Sequence, residues 1–277
     1  MIMKKKGTKE KTKTKSIKTT ETPQKENNTL VKTITRKKDT ARKKYEKIPT
    51  GIKNLDKITE GGFVKSSINM IVGGTGTGKS IFAIQFLIAG IKKGETCLYI
   101  SFEEKKEEVY ANMLRLGWDM QKYEDQKKFF FLEYTPEKVK TMLDEGGGEI
   151  ETLVLTKNIA RIGIDSITAF TSLFTKEAER RDAILALSEL LRKWNSTVLL
   201  TYEKNPSIEE KASSMLEFEV DAIITLYSLR LKNKREKFLE VFKMRGTKHS
   251  TEIFPFSIEK GGINLKYNPC KSLPNIE

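Results

Sequence analysis

One octapeptide limits what this sequence can fold into more than any other feature: Gly73-Gly74-Thr75-Gly76-Thr77-Gly78-Lys79-Ser80. It fits the spacing G-x4-G-K-[ST], and its flanks suit it. An apolar strand, Ile68–Val72, comes before it, and an apolar helix starting near Lys79 and running through Ile81–Ile91 comes after. Each part has a physical reason. The glycines let consecutive backbone N–H groups point into one concavity without side-chain clash. The helix adds the positive end of its dipole. Lys79 supplies an ammonium for the β- and γ-phosphates of a nucleotide, and Ser80 a hydroxyl for Mg²⁺.

The rest of the sequence agrees with a strand–loop–helix start. Thr96–Ile100, Phe129–Leu132, Arg161–Asp165 and Thr197–Tyr202 read as strands. Lys105–Leu116, Val139–Leu143, Ile150–Ile159 and Lys176–Trp194 read as helices. Such alternation predicts an α/β fold with a mostly parallel central sheet and helices on both faces. After Val220 the texture changes. Asp221–Leu229 and Phe238–Met244 read as a β-hairpin turning at Lys232–Arg235, and Glu252–Ile258 and Gly261–Leu265 as further short strands.

Charge is distributed unevenly. The chain has 277 residues and a formal net charge of +14. Residues 1–47 hold 17 Lys/Arg against 5 Asp/Glu, a net of +12, which leaves +2 for all the others. This segment has too little apolar surface to offset its ordering entropy, so it is expected to be a disordered basic arm. It serves either as a solubility tail or as a phosphate-driven, sequence-blind contact to nucleic acid. The folded domain is expected over 48–268, with a short tail at 269–277. No apolar stretch is long enough to span a membrane. Cys97, Cys270 and the single His249 are too few for a disulfide framework, a zinc site or a multi-histidine metal site. A cytoplasmic setting is expected, with any metal a hard cation held by oxygens.

Other residues could serve the same chemistry. Asp165 ends a strand and is placed to hold Mg²⁺ through water, the Walker B role. Ser101-x-x-Glu104 reads as a capping box for the next helix, which leaves Glu103 as a spare carboxylate that could orient an attacking water. Strand alternation puts Lys243 and Arg245 on one face and Met244 on the other; the two cations are either a phosphate clamp or a solvated strand face. Read alone, His249 is an ordinary turn or surface histidine.

Taken together and in order, these segments resemble the KaiC family of RecA-like P-loop ATPases. The resemblance runs from about Ile48 to Leu265 and rests on Gly51–Phe63, Ser101–Glu104, Asn112–Trp118, Arg161–Thr168, Thr201–Glu203, Lys243–His249 and Pro255–Ile263. It implies ATP and Mg²⁺ as cofactors, Glu103 as the catalytic glutamate and Glu104 as its partner. It implies that Thr201 and Glu203 are sensors. It implies that Lys243, Met244, Arg245, Thr247 and His249 contact the nucleotide of a neighbouring subunit, in a homo-oligomeric ring that is usually a hexamer. ATP state would then control assembly and the binding of a protein partner; the other reading is a DNA-processing ATPase that uses the basic arm. Where the family's two-copy clock protein carries a phosphorylated Ser-Thr pair in its second copy, this sequence has Glu217-Phe218, with Ser213 and Ser214 nearby. That substitution resembles the copy that only hydrolyses ATP.

Overall fold

The structure is a computed structural model, and it describes residues 45–145, 148–204 and 215–270. Most of the expected basic arm lies outside these residues, as do Ser213, Ser214 and the chain from 271 onward. The described residues begin at Tyr45, three residues before the expected start of the domain at 48.

A short lead-in comes first: β1 (Lys47–Ile48), α1 (Lys53–Ile58) and β2 (Phe63–Val64), with β1 and β2 pairing antiparallel. Lys47 belongs to this fold, because its ammonium donates to the Gly62 carbonyl at 3.2 Å and to the Thr247 hydroxyl. The main body follows: β3 (Ile68–Gly73), α2 (Lys79–Ile91), β4 (Thr96–Ser101), α3 (Lys106–Arg115), α4 (Met120–Asp125), β5 (Phe129–Glu133), α5 (Pro136–Glu145) and α6 (Gly148–Thr156). It continues through β6 (Ile159–Asp165), α7 (Ile167–Thr171), α8 (Glu177–Lys193), β7 (Thr197–Glu203), α9 (Met215–Glu219), β8 (Ala222–Leu231), β9 (Lys234–Met244), β10 (Ile253–Glu259) and β11 (Gly262–Leu265).

One nine-stranded sheet runs in the order β11-β10-β9-β8-β3-β7-β6-β4-β5. From β8 to β5 the strands are parallel; β9, β10 and β11 are added antiparallel. The central parallel strands are buried on both faces, which is why they read as largely apolar runs, interrupted by Asn69 in β3 and Arg161 in β6. Ile68, Met70, Val72, Leu98 and Ile100 face a core shared with α8, while Ile71, Cys97 and Tyr99 face a core built on α2. Burial pushes the Cys97 thiol up to about 12, so it acts as a small apolar group.

Two expectations are corrected. Ile159 opens β6 and does not end a helix, because α6 stops at Thr156 and Asn158 turns the chain at a φ of +50°. The hairpin is longer than expected: Leu231 pairs with Lys234, so the turn is only Lys232-Asn233, with Lys232 left-handed.

Arg161, at the start of β6, is fully buried. Its guanidinium pairs with Glu95, donates to the carbonyls of Pro49 at 2.8 Å and Phe86 at 2.9 Å, and lies over the Phe86 ring. It ties the lead-in to the sheet. A chain starting at Tyr45 is therefore expected to melt within a few degrees of the full-length chain. One starting at Gly51, which removes Lys47 and the Pro49 carbonyl, is expected to melt clearly lower; thermal unfolding followed by circular dichroism checks both. Equal melting temperatures for the two would mean that the lead-in contacts add nothing.

Candidate functional site

The phosphate loop leaves the sheet at the C-terminal end of β3, and α2 begins directly after it. Gly78 precedes the helix at a φ of +112°, and no side chain caps the helix N-terminus. The positive φ at Gly78 calls for glycine, and a Cβ there would also press to 2.8 Å on the end of the Ile258 side chain, which would have to shift. Lys79 is buried, and its ammonium donates to the Gly74 carbonyl at 3.0 Å. Thr77 donates through its hydroxyl to the same carbonyl at 2.8 Å. The ammonium thus rests against the loop's own backbone.

Asp165 ends β6, two strands away from β3. One of its oxygens accepts from the Tyr99 phenol at 2.6 Å, and the other accepts from the Thr201 hydroxyl. The Ser80 side chain lies near the same phenol. Burial first, and the Asp165 charge second, push the Tyr99 phenol well above its usual range, so it stays a proton donor. Thr201, expected as a sensor, is completely buried and holds the Asp165 carboxylate in place. A hydroxyl, a phenol and a carboxylate are thereby gathered at the head of α2.

The Ser101–Glu104 segment follows β4, next to β6 in the sheet. The expected capping box is not formed. Ser101 does accept from the Glu104 N–H at 3.0 Å, but the helix starts later, at Lys106. Its first N–H donates to Glu133 at 2.9 Å, so a carboxylate from the end of β5 takes the cap position. Glu103 accepts from the Ser166 hydroxyl at 2.8 Å, which brings it beside the residue that follows Asp165. Burial, then the Asp165 charge, raises the Glu104 carboxyl above its ordinary range. Both glutamates therefore converge on the Asp165 end of the sheet.

The apex of the loop is held from both sides. Thr75 donates to the Glu203 carboxylate at the end of β7, and the Glu203 N–H donates to the Thr168 hydroxyl at 2.7 Å. From the other side, Lys237 of β9 donates to the Gly76 carbonyl. The remaining expected residues lie elsewhere. Met244 pairs with Ala222, which pairs with Asn69 near the start of β3. Met244 therefore lies roughly 13 Å behind the level of Gly73 along the strand, at the end opposite the loop. Lys243 and Arg245 do share a side, while Met244 is buried. Lys243 donates to the carbonyls of Glu217 at 2.7 Å and Val220 at 2.8 Å, and Arg245 to that of Phe218 at 2.6 Å. Thr247 contacts Lys47, and His249 lies in a cavity of about 400 Å³ with Lys57, Lys248 and Tyr267.

A family model described as the KaiC ATPase matches residues 48–269. The chain belongs to the KaiC family. Circadian clock protein KaiC3 of Synechocystis is 33% identical over 227 residues, covering 79% of this chain and 45% of that protein. A UPF0273 protein of Pyrococcus furiosus is 32% identical over 230 residues, covering 78% of this chain and 92% of that one. The crystal structure of a KaiC-like protein from Pyrococcus horikoshii superposes with a TM-score of 0.71 at 29% identity, covering 80% of this chain and 99% of that chain. This chain thus spans about half the length of the clock proteins it matches and nearly all of the archaeal ones. The KaiC-type domain is an ATP-binding P-loop ATPase domain with a RecA-like, mostly parallel sheet and antiparallel C-terminal strands. Among the described residues no helix is long and apolar enough to cross a membrane.

Sequence reasoning missed Tyr99, Thr168 and Lys237. Tyr99 had a readable signal, a polar-tipped aromatic inside an apolar strand, since a buried phenol needs a partner. Lys237 had none, because its approach to Gly76 depends on the register of the hairpin.

Proposed function

We propose that this KaiC-family chain binds ATP with Mg²⁺ and hydrolyses it within a ring, where Arg245 and Lys243 serve the nucleotide of the adjacent subunit. The observation that carries the catalytic part is the cluster at the head of α2: Lys79, Ser80, Tyr99, Asp165 and Glu103. Its donor set suits a hard cation, because Ser80 and Asp165 offer oxygens near one phenol that holds Asp165, and the triphosphate would supply the rest. Among the described residues no cluster of His, Cys, Asp and Glu offers a separate metal site. When bound, Mg²⁺ neutralises charge on the β- and γ-phosphates.

The chain's own residues do the rest. Lys79 exchanges the Gly74 carbonyl for phosphate oxygens, a stronger charge-assisted pairing. Tyr99 and Thr201 hold Asp165 in one orientation, which reduces reorganisation when the cation arrives. Glu103, steadied by Ser166, orients the attacking water and takes its proton; Glu104 is its partner. Glu203 senses the loop through Thr75.

The ring is supported by sheet polarity. Arg245, Lys243, Thr247 and His249 lie at the end of the hairpin far from the loop of their own subunit, where they would serve another subunit's nucleotide by exchanging their present partners. Phe218 and Phe242 are large apolar side chains that stand exposed on the elements carrying or contacting these cations, as an interface requires. The nucleotide state of such a ring would control the binding of a protein partner.

Calorimetry tests the reading. Lys79→Ala is expected to weaken ATP binding about 10- to 100-fold, the scale of one charge-assisted contact to phosphate. Undiminished affinity would overturn the assignment of the loop.

A further inference from the structure

A phosphate loop works only when its peptide planes are turned the right way. Across a trans peptide the C=O and N–H point in opposite directions. Whatever holds the Gly76 carbonyl therefore also aims the Thr77 N–H. Little else holds this plane. Gly76 has a φ of +71°, and a Cβ built on it would touch nothing within 4 Å. The Thr77 N–H itself makes only a long contact, 3.4 Å, to the Gly74 carbonyl, one that a phosphate oxygen can displace.

Lys237 supplies the hold. Its ammonium donates to the Gly76 carbonyl, the end of that peptide opposite the Thr77 N–H. The residue is anchored on both edges of its strand, pairing with Ser228 of β8 and Phe256 of β10. Ser228 lies two positions beyond Leu226, the partner of Gly73, so Lys237 stands at the loop end of the sheet. Lys237 is partly buried, and burial, then the nearby Arg235, lowers its ammonium below the usual lysine range. Thr75, the preceding apex residue, is tied to Glu203 from the opposite side.

We infer that Lys237 is a positioning residue for the phosphate loop of its own subunit: by holding the Gly76 carbonyl it presents the Thr77 N–H to phosphate. A cation on that carbonyl also polarises the peptide and strengthens its N–H as a donor. The inference rests on the reading of the loop as the ATP site. It gives the hairpin a role in binding the subunit's own nucleotide, separate from the role proposed for Lys243 and Arg245 at its far end.

The test compares the full chain with Lys237→Met and Lys237→Arg, measuring ATP affinity by calorimetry and thermal stability by circular dichroism. Lys237→Met is expected to melt like the native chain yet bind ATP about ten-fold more weakly, because a hydrogen bond to a charged group is lost. Lys237→Arg keeps a charged donor and is expected to return affinity to within about three-fold of native, a rescue that loss of general packing would not produce. Native-like affinity in Lys237→Met, or weakened binding that arginine fails to restore, overturns the inference. Should Lys237→Met not fold, Lys237→Gln takes its place and the same two outcomes decide. A native chain that binds no ATP at all would instead overturn the reading of the loop.

Discussion

Mixing Arg245→Ala protein with Lys79→Ala protein is expected to restore ATP hydrolysis that neither variant supports alone. The first variant keeps a complete phosphate loop, and the second keeps the cationic face at the far end of β9. In a mixed ring some interfaces unite the two intact halves. The effect is large, since an arginine finger is worth roughly 10³–10⁵ in rate in other NTPases. The structure gives the expectation its geometry. Arg245 follows the end of β9 beside Ala222, at the start of the parallel strands, and it is more than half exposed. It now grips the Phe218 carbonyl and lies 3.7 Å from the Asp221 carboxylate, partners that the more highly charged triphosphate of a neighbour would have to displace. Subunit exchange is verified with labelled protein before activity is read. If exchange occurs and activity stays absent, Arg245 does not act across an interface. Full activity in a confirmed monomer would refute it more directly.

Glu103→Gln is expected to keep ATP bound while slowing turnover about 10²- to 10⁴-fold, the usual cost of removing a positioned base. The amide keeps an oxygen that can still accept from Ser166, so the local fold should persist. Glu104→Gln makes the comparison informative. Glu104 sits in the field of Asp165, Glu108 and Glu103, which together with burial raises its carboxyl. Neutralising it removes repulsion near Asp165 and should cost far less than losing Glu103. Single-turnover hydrolysis measured on both variants decides the matter. The opposite ranking would assign the base to Glu104.

How much of this was legible in the sequence depends on the range over which each feature is set. The phosphate loop was legible because its chemistry is local: glycine spacing, one lysine, one hydroxyl and the apolar strand and helix around them. The parallel sheet was legible because strands buried on both faces leave largely apolar runs such as Ile68–Gly73, where Asn69 alone is polar. The capping box misled for the opposite reason. Ser101-x-x-Glu104 has the right spacing, but the chain delays the helix and takes its cap from Glu133, a residue brought near only by pairing of β4 with β5. The gathering of Ser80, Tyr99 and Asp165 also requires strands to be placed side by side. So does Lys237: no local pattern tells which lysine of a charged hairpin meets Gly76.

Arg161 has a consequence for experiments in solution. Its charge is fully enclosed and its partners include two backbone carbonyls, so dissolved ions cannot easily come between them. Residues 1–47 hold +12 of the chain's net +14, and the pull of such a surplus on a polyanion weakens as salt screens it. Raising ionic strength should therefore separate two behaviours that usually change together. Adhesion of polyanions to the basic segment would fade, whereas the anchorage of the lead-in beneath the sheet would hold. Salt becomes a selective reagent for this protein, able to clear its electrostatic contacts without loosening the knot that closes its core.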